Sequence, residues 1–348
     1  MNFAKPESTK NRRHFLIQSG TALIGSASFT SCKDEGDGGD GDGKSDYPIS
    51  LAQWSLHRAL KGGTLDNLDW PEYTKTNFAI EALEWVNQFF FVENDKLGYQ
   101  PKDQAYLTEM KKRVDDQGMK SLLIMCDRVG QLGNPDAAKR TAAVEGHYAW
   151  LEAAKFLGCQ SLRVNAASDA KLSPEEQADL CVDGLGRLSE KAEEFGLNVI
   201  VENHGGYSSH GAWLANVLDT VGRDNCGALP DYGNFYLVKN RGNAEQYEKQ
   251  KAIYEGDGSL TESEKGLEYD RYKGVRDLMP HAKGVSAKAH DFDENGNETN
   301  TDFAKMMKIV KDSGYEGHMG VEFEGSDVSE DEGIKLTKAL LEKVIAEV

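Results

Sequence analysis

Residues 198–206 read NVIVENHGG: three consecutive β-branched residues, Val199, Ile200 and Val201, stop on Glu202, Asn203 and His204. An unbroken apolar run of this length marks a strand covered on both faces, as in a parallel sheet flanked by helices. Its polar end is then either a surface loop or the edge of a site, and the remaining elements decide between the two.

From Tyr47 onward one pattern recurs: a short apolar run, a polar junction, then an amphipathic stretch that stops at glycine. Strands are expected at 49–55, 80–86, 120–126, 161–165, 198–202, 227–231, 284–288 and 318–322. Helices fill the intervals. DQAYLTEMKKRVDDQG (103–118) places Tyr106, Leu107, Met110 and Val114 on one face. SPEEQADLCVDGLGRLSEKAEEFG (173–196) opens with Ser173 as N-cap, Pro174 at the first position and Glu176 completing a capping box. NTDFAKMMKIVKDSG (300–314) ends at Gly314, and a last helix is expected from Asp331 to the C-terminus. Eight strand–helix units over about 300 residues predict an α/β fold of the (β/α)8 TIM-barrel type. A polar, Gly-rich insertion at 238–266 follows the sixth strand. An open doubly wound sheet is the competing fold, but no GxGxxG turn follows the first strand.

In a parallel barrel the C-terminal strand ends meet at one mouth. The fifth strand brings Glu202, Asn203 and His204 there; the sixth, CGALPDYGNF, brings Asp231 and Asn234; the seventh, GVSAKAHDF, brings Lys288, His290 and Asp291; the eighth, HMGVEFEG, brings Glu322 and Glu324. LRVNA adds Arg163 and Asn165, and LAQWSLHRAL adds Trp54 and His57. Carboxylates converging without a cation repel one another and hold protons. One divalent metal removes the conflict, and mixed carboxylate and imidazole ligands without thiolates suit Mn2+ first, with Co2+, Mg2+ and Zn2+ as the other candidates.

The motifs VENHGG, LPDYGNF and GVEFEG resemble those of the xylose-isomerase-like TIM-barrel superfamily, the group of sugar phosphate isomerases and epimerases, over essentially all of 47–348. That resemblance implies one metal held by Glu, Asp, His and Glu from successive late strands, and makes Glu202, Asp231 and Glu322 ligands. It also implies that Glu202 and Glu322 serve as the acid/base pair on opposite faces of the substrate. The seventh strand departs from the family pattern. If Lys288 matches the family lysine, the ligand position falls on Ser286; if the strand runs two residues further, it falls on His290, preferred because neutral imidazole is the commoner ligand. Trp54, Arg163, Asn165, His204, Asn234 and Lys288 are the expected substrate-binding residues, Trp54 by stacking on a sugar face. Each has a plainer alternative: core filling for Trp54, a rim ion pair for Arg163, support of a carboxylate for His204, charge balance for Lys288.

The first 31 residues read as a processing signal. NRRHFLIQSGTALIGSASFTSC (11–32) resembles a twin-arginine export signal joined to a lipoprotein box, with Cys32 the lipidated residue. Its apolar stretch is shorter than the roughly 20 residues a membrane span needs. A Gly/Asp tract (32–46) follows as a flexible tether, so the barrel is expected at 47–348, outside the cytoplasm as a periplasmic or outer-membrane lipoprotein, touching membrane only through its lipid anchor. The formal charge of −18 becomes −21 once the signal, with its four basic residues and one acidic, is removed. Such a charge excludes phosphate backbones, hence nucleic acid, as partners. The four remaining cysteines show no CxxC spacing and are expected as buried thiols.

A small-molecule sugar or glycoside is the expected partner, and no basic cluster suited to a phosphate is visible. The expected reaction is isomerisation or epimerisation of an unphosphorylated keto-sugar through an enediolate. A lyase that cleaves 3-keto-glycosides by β-elimination shares its first step. A carbohydrate-binding barrel without turnover is the third reading.

Overall fold

The computed structural model describes residues 47–237 and 268–348. The expected signal segment, Cys32, the tether and the 238–266 insertion lie outside the described residues. The strands are β1 Ile49–Ala52, β2 Ala82–Val86, β3 Phe91–Asn94, β4 Gly98–Pro101, β5 Lys120–Met125, β6 Ser161–Val164, β7 Asn198–Glu202, β8 Cys226–Leu229, β9 Val285–Ala289 and β10 Met319–Phe323. Eight of them form one sheet in the order β8-β7-β6-β5-β2-β1-β10-β9, with every pairing parallel. Parallel bridges Ala228 to Ala282 and Asp231 to Ser286 join its two ends. Backbone hydrogen bonds Ser286 N to Pro230 O (2.9 Å) and Tyr232 N to Ser286 O (3.0 Å) complete that join. The ring is thus a (β/α)8 barrel, and its closure falls where Asp231 meets Ser286.

All eight expected barrel strands are present. The first is shorter than expected, ending at Ala52 and turning into a 3-10 segment, Gln53–Leu56. The cause is Gln53, whose side-chain oxygen accepts the Val86 N–H at 2.9 Å, taking a donor that a longer strand would pair through its backbone. The turn carries Trp54 over the mouth. The antiparallel hairpin β3–β4, unforeseen in the sequence, lies outside the barrel sheet. The helix Pro174–Glu193 has both reciprocal bonds of its capping box, as expected.

Two hydrophobic layers result. The larger lies between strands and helices; the smaller, Ala52, Val86, Leu123, Met125, Ile200 and Leu229, plugs the barrel beneath Trp54 and Phe89. This plug gives the mouth a dry floor. Cys126, Cys159, Cys181 and Cys226 are buried free thiols, as expected.

One carboxyl sits inside the barrel itself. Glu84 accepts from Ser50 Oγ at 2.5 Å, and its second oxygen has no hydrogen-bond partner among the described residues. Gly320 makes room for it: a Cβ there would stand 2.7 Å from the carboxyl oxygen. Burial raises Glu84 to about 7, against the Ser50 bond that favours its charged form. A raised value means the folded state binds the proton more tightly than the unfolded chain. Its contribution is complete below the unfolded value of 4.5 and is lost as pH rises through 7. Glu84→Gln should therefore flatten the fall in stability between pH 5 and 9, a difference on the order of 3 kcal/mol at the alkaline end; urea titrations across that range measure it.

Candidate active site at the barrel mouth

The barrel mouth encloses a cavity of about 300 Å3, lined by Trp54, Arg163, Glu202, His204, Glu322 and Glu324 together with Asp127, Arg128, Lys61 and Gln88. Six residues that the sequence reading brought to the strand ends therefore meet on one surface. Asn165, Asn234, Asp231 and Lys288 stand behind that wall and hold its members in place.

Glu202, the last residue of β7, is 1% exposed. Arg163 Nε, from neighbouring β6, donates to one of its oxygens at 2.5 Å, with Nη2 on the same oxygen, and Asn234 Nδ2 donates to the other at 2.8 Å. Burial pushes this carboxyl up, but the Arg163 guanidinium, with His204 and Lys288, outweighs burial and holds it below its ordinary value. Arg163 Nη1 reaches Asp127 at 2.8 Å, and Asn165 Nδ2 reaches the same oxygen at 2.9 Å. Asp127 is likewise kept ionised, against its burial. Arg163 is thus an ion-pair partner, buried rather than at the rim as its plainer reading supposed, and it also faces the cavity.

The other wall is built differently. Asp231 spends one oxygen on the N–H groups of Gly233 and Asn234, at 2.8 and 2.7 Å. Its other oxygen lies 2.7 Å from Ser286 Oγ, which also lies 2.9 Å from Glu322 Oε2. A hydroxyl carries one hydrogen, which serine gives to one of these contacts or shares between both. Burial raises Glu322 to about 8, the Lys288 ammonium opposing and the carboxylates of Glu202, Asp231 and Glu324 adding to the rise. Asp231 is also raised, by burial first.

Lys288 Nζ lies 3.1 Å from Glu322, 3.3 Å from Glu324 and 3.5 Å from Asp231. Burial opposes its charge, but these carboxylates hold it firmly protonated. One ammonium cannot keep all three carboxyls ionised. The charge stays on Glu324, lowered to about 2 despite burial by Lys288, His290 and the Trp54 indole N–H that it accepts. Trp54 itself stacks on His57, with ring centroids 4.8 Å apart and Lys61 over its ring at 4.1 Å.

The structure places His290 at the rim rather than between Asp231 and Glu322. The β9 register pairs Lys288 with Glu322, so Ser286 takes the position between Asp231 and Glu322. His290 falls past the strand end, its side chain 37% exposed and 3.8 Å from Glu324. A Cβ on Gly325 would stand 1.7 Å from the His290 carbonyl, so the two strand exits approach closely here. The donor set does not fit the divalent metal that the family resemblance implies: both oxygens of Glu202 are held by Arg163 and Asn234, Ser286 stands where an imidazole is required, and Lys288 occupies the positive position. Among the described residues, no three His, Cys, Asp or Glu side chains are arranged to hold a metal ion.

Four polar cavity residues were missed: Lys61, Gln88, Asp127 and Arg128. Asp127 follows β5 and obeys the same strand-end rule as the others, so reading IMCD at 124–127 for a terminal carboxylate would have found it. Arg128 follows directly, with a φ of 57° that a sequence does not announce.

These features define a (β/α)8 barrel with a carboxylate-rich mouth in which Arg163 holds one carboxyl pair and the buried Lys288 faces the others. The chain belongs to the xylose isomerase-like TIM barrel family, whose model matches residues 81–344. Its relatives include the inosose dehydratase of Erwinia tasmaniensis, 26% identical over 274 residues, 74% of this chain and 86% of the relative. The C-glycoside deglycosidase alpha subunit of Arthrobacter globiformis is 36% identical over 77 residues, 20% of this chain and 22% of that protein's length. Among solved structures, the E. coli 3-keto-D-glucoside 4-epimerase superposes with a TM-score of 0.56 at 14% identity, covering 86% of this chain and all of the other. The IOLI protein with a bound zinc atom gives 0.57 at 15%, covering 86% and 98%. At those identities the structural matches establish the fold.

Proposed function

We propose that the chain is a sugar-modifying enzyme that moves protons at the carbon next to a carbonyl of an unphosphorylated keto-sugar or keto-glycoside. The observation that supports this reading is two carboxyls on one cavity in opposed surroundings: Glu202 is held by Arg163 and Asn234, which favours its charge, whereas Glu322 is buried beside other carboxylates, which raises it. A pair whose environments push its members apart is a base and an acid ready at the same pH. Glu202 takes the proton from carbon; the C–H electron pair becomes the C=C bond of the enediolate, and the carbonyl oxygen gains the charge. Arg163 and Lys61, on the cavity wall, face that oxygen's surroundings with positive charge. Glu322 then returns a proton, on the opposite face for an epimer or at the neighbouring carbon for an isomer. The cavity volume is at the lower end for small-molecule sites, consistent with a single sugar ring against Trp54.

A second reading shares the first step: the enolate expels a group from the β-carbon, and Glu322 protonates the leaving oxygen. It is favoured by the names of the two sequence relatives, a dehydratase and a deglycosidase. Product analysis on an aryl 3-keto-glycoside separates the two. Retained aglycone with inverted or shifted stereochemistry supports the isomerase or epimerase, released aglycone supports the lyase, and bound but unchanged substrate overturns both in favour of a carbohydrate-binding barrel.

The rate should fall as pH rises through about 8, because Glu322 loses the proton it must give. A kcat/KM profile from pH 5 to 10 checks this. Export remains part of the proposal: Cys32→Ala should abolish lipid labelling of the chain and release it from the membrane fraction, as metabolic labelling with a palmitate analogue would report.

A further inference from the structure

We propose that the fixed cation of this mouth is the Lys288 ammonium, and that the protein carries its site without a bound divalent metal. The inference goes beyond the proton-transfer reading and does not depend on it. Three observations carry it. Lys288 Nζ is 2% exposed and lies within 3.1–3.5 Å of carboxyl oxygens from three residues, Glu322, Glu324 and Asp231, a position enclosed by anions as a metal ion would be. Ser286 Oγ bridges Asp231 and Glu322 at 2.7 and 2.9 Å, so a hydroxyl fills the place between these two carboxyls. Glu202, on the far side, has each oxygen in a hydrogen bond to Arg163 or Asn234.

A metal entering here would have to expel a buried ammonium, break the serine bridge and strip Glu202 of its partners, and a hydroxyl offers little in return for the imidazole it replaces. Lys288 is a positioning residue: it holds Glu322 and Glu324 in register and acts on substrate through them.

The test is elemental analysis of the full chain, purified without chelator from cells supplied with Mn2+, Co2+, Mg2+ and Zn2+, together with melting temperatures with each ion at millimolar concentration and after EDTA. The expected result is below about 0.1 ion per chain and no shift in melting temperature in either direction. One ion per chain, removed by EDTA with a fall in melting temperature, would overturn the proposal; proton abstraction by Glu202, which needs only its ionised form, is tested apart from it by deuterium uptake. The combined substitution Ser286→His with Lys288→Met removes the ammonium and supplies the missing imidazole, and should acquire a melting temperature that rises with Mn2+ or Zn2+. Should that variant not fold, Ser286→His alone is titrated with the same ions: it keeps the ammonium and should respond no more than wild type, and a metal response gained there would count against Lys288 as the excluding cation.

Discussion

Glu322→Gln is expected to lower kcat by 10²- to 10⁴-fold on a keto-sugar substrate while leaving KM within a few-fold of wild type. The range is that of a positioned general acid or base. Gln keeps the shape and one hydrogen-bond acceptor toward Ser286, so the wall should persist, but an amide cannot give up a proton. The alkaline limb near pH 8 should disappear with it, since Glu322 is the group that titrates there. Glu202→Gln should cause a loss of similar size with the opposite signature, removing any acid limb, because Glu202 is the group that must be ionised. The two losses should not add in the double variant, as residues that serve one proton transfer act as a unit. Steady-state kinetics of the three variants across pH measure all of this.

The largest expected effect on stability is that of Arg163→Met. Arg163 is buried and is the partner of two carboxylates, Glu202 and Asp127, with side-chain exposures of 3% for the arginine and 2% for Glu202. Removing one member of a buried pair leaves the other charge in a low-dielectric surrounding and costs about 3–5 kcal/mol. Here both carboxyls must either stay charged without a partner or take up a proton. The loss should therefore be largest near pH 7–8 and shrink toward acid pH, where protonation relieves it. Adding Glu202→Gln to Arg163→Met should recover part of the stability, and that coupling, read by a double-mutant cycle in urea, identifies the pair as the source. Arg163→Lys is not expected to rescue fully, since a point charge cannot hold Glu202 through Nε and Asp127 through Nη1 at once.

Much of this was legible in the chain. NVIVENHGG and its seven counterparts announced a parallel barrel through their apolar runs and polar ends, because strands covered by helices leave no alternation. The strand-end rule also gathered Glu202, Arg163, His204, Trp54 and Glu322, which line one cavity. What it could not give was depth and register along a strand. Ser286, Lys288 and His290 share a face by their spacing of two, and only the pairing of Lys288 with Glu322 shows which of them reaches the carboxylates. Asp231 illustrates the same limit: its residue type and place at a strand end suit a ligand, but one oxygen is spent on the turn that follows. The hairpin β3–β4 was invisible because NDKLGY offers neither Asn-Gly nor Asp-Gly between its strands.

The measurement that bears most directly on proton transfer is deuterium uptake from D2O into a ketohexose and an aryl 3-keto-glycoside, followed by mass spectrometry and proton NMR. Isomerisation, epimerisation and β-elimination all pass through the same carbon-bound proton. Wild-type protein is expected to place solvent deuterium at the carbon next to the carbonyl in recovered substrate or product, and Glu202→Gln is expected not to. A sugar that binds wild type by calorimetry yet emerges with neither deuterium nor a new bond arrangement would contradict enolisation at this mouth and leave a carbohydrate-binding barrel in its place.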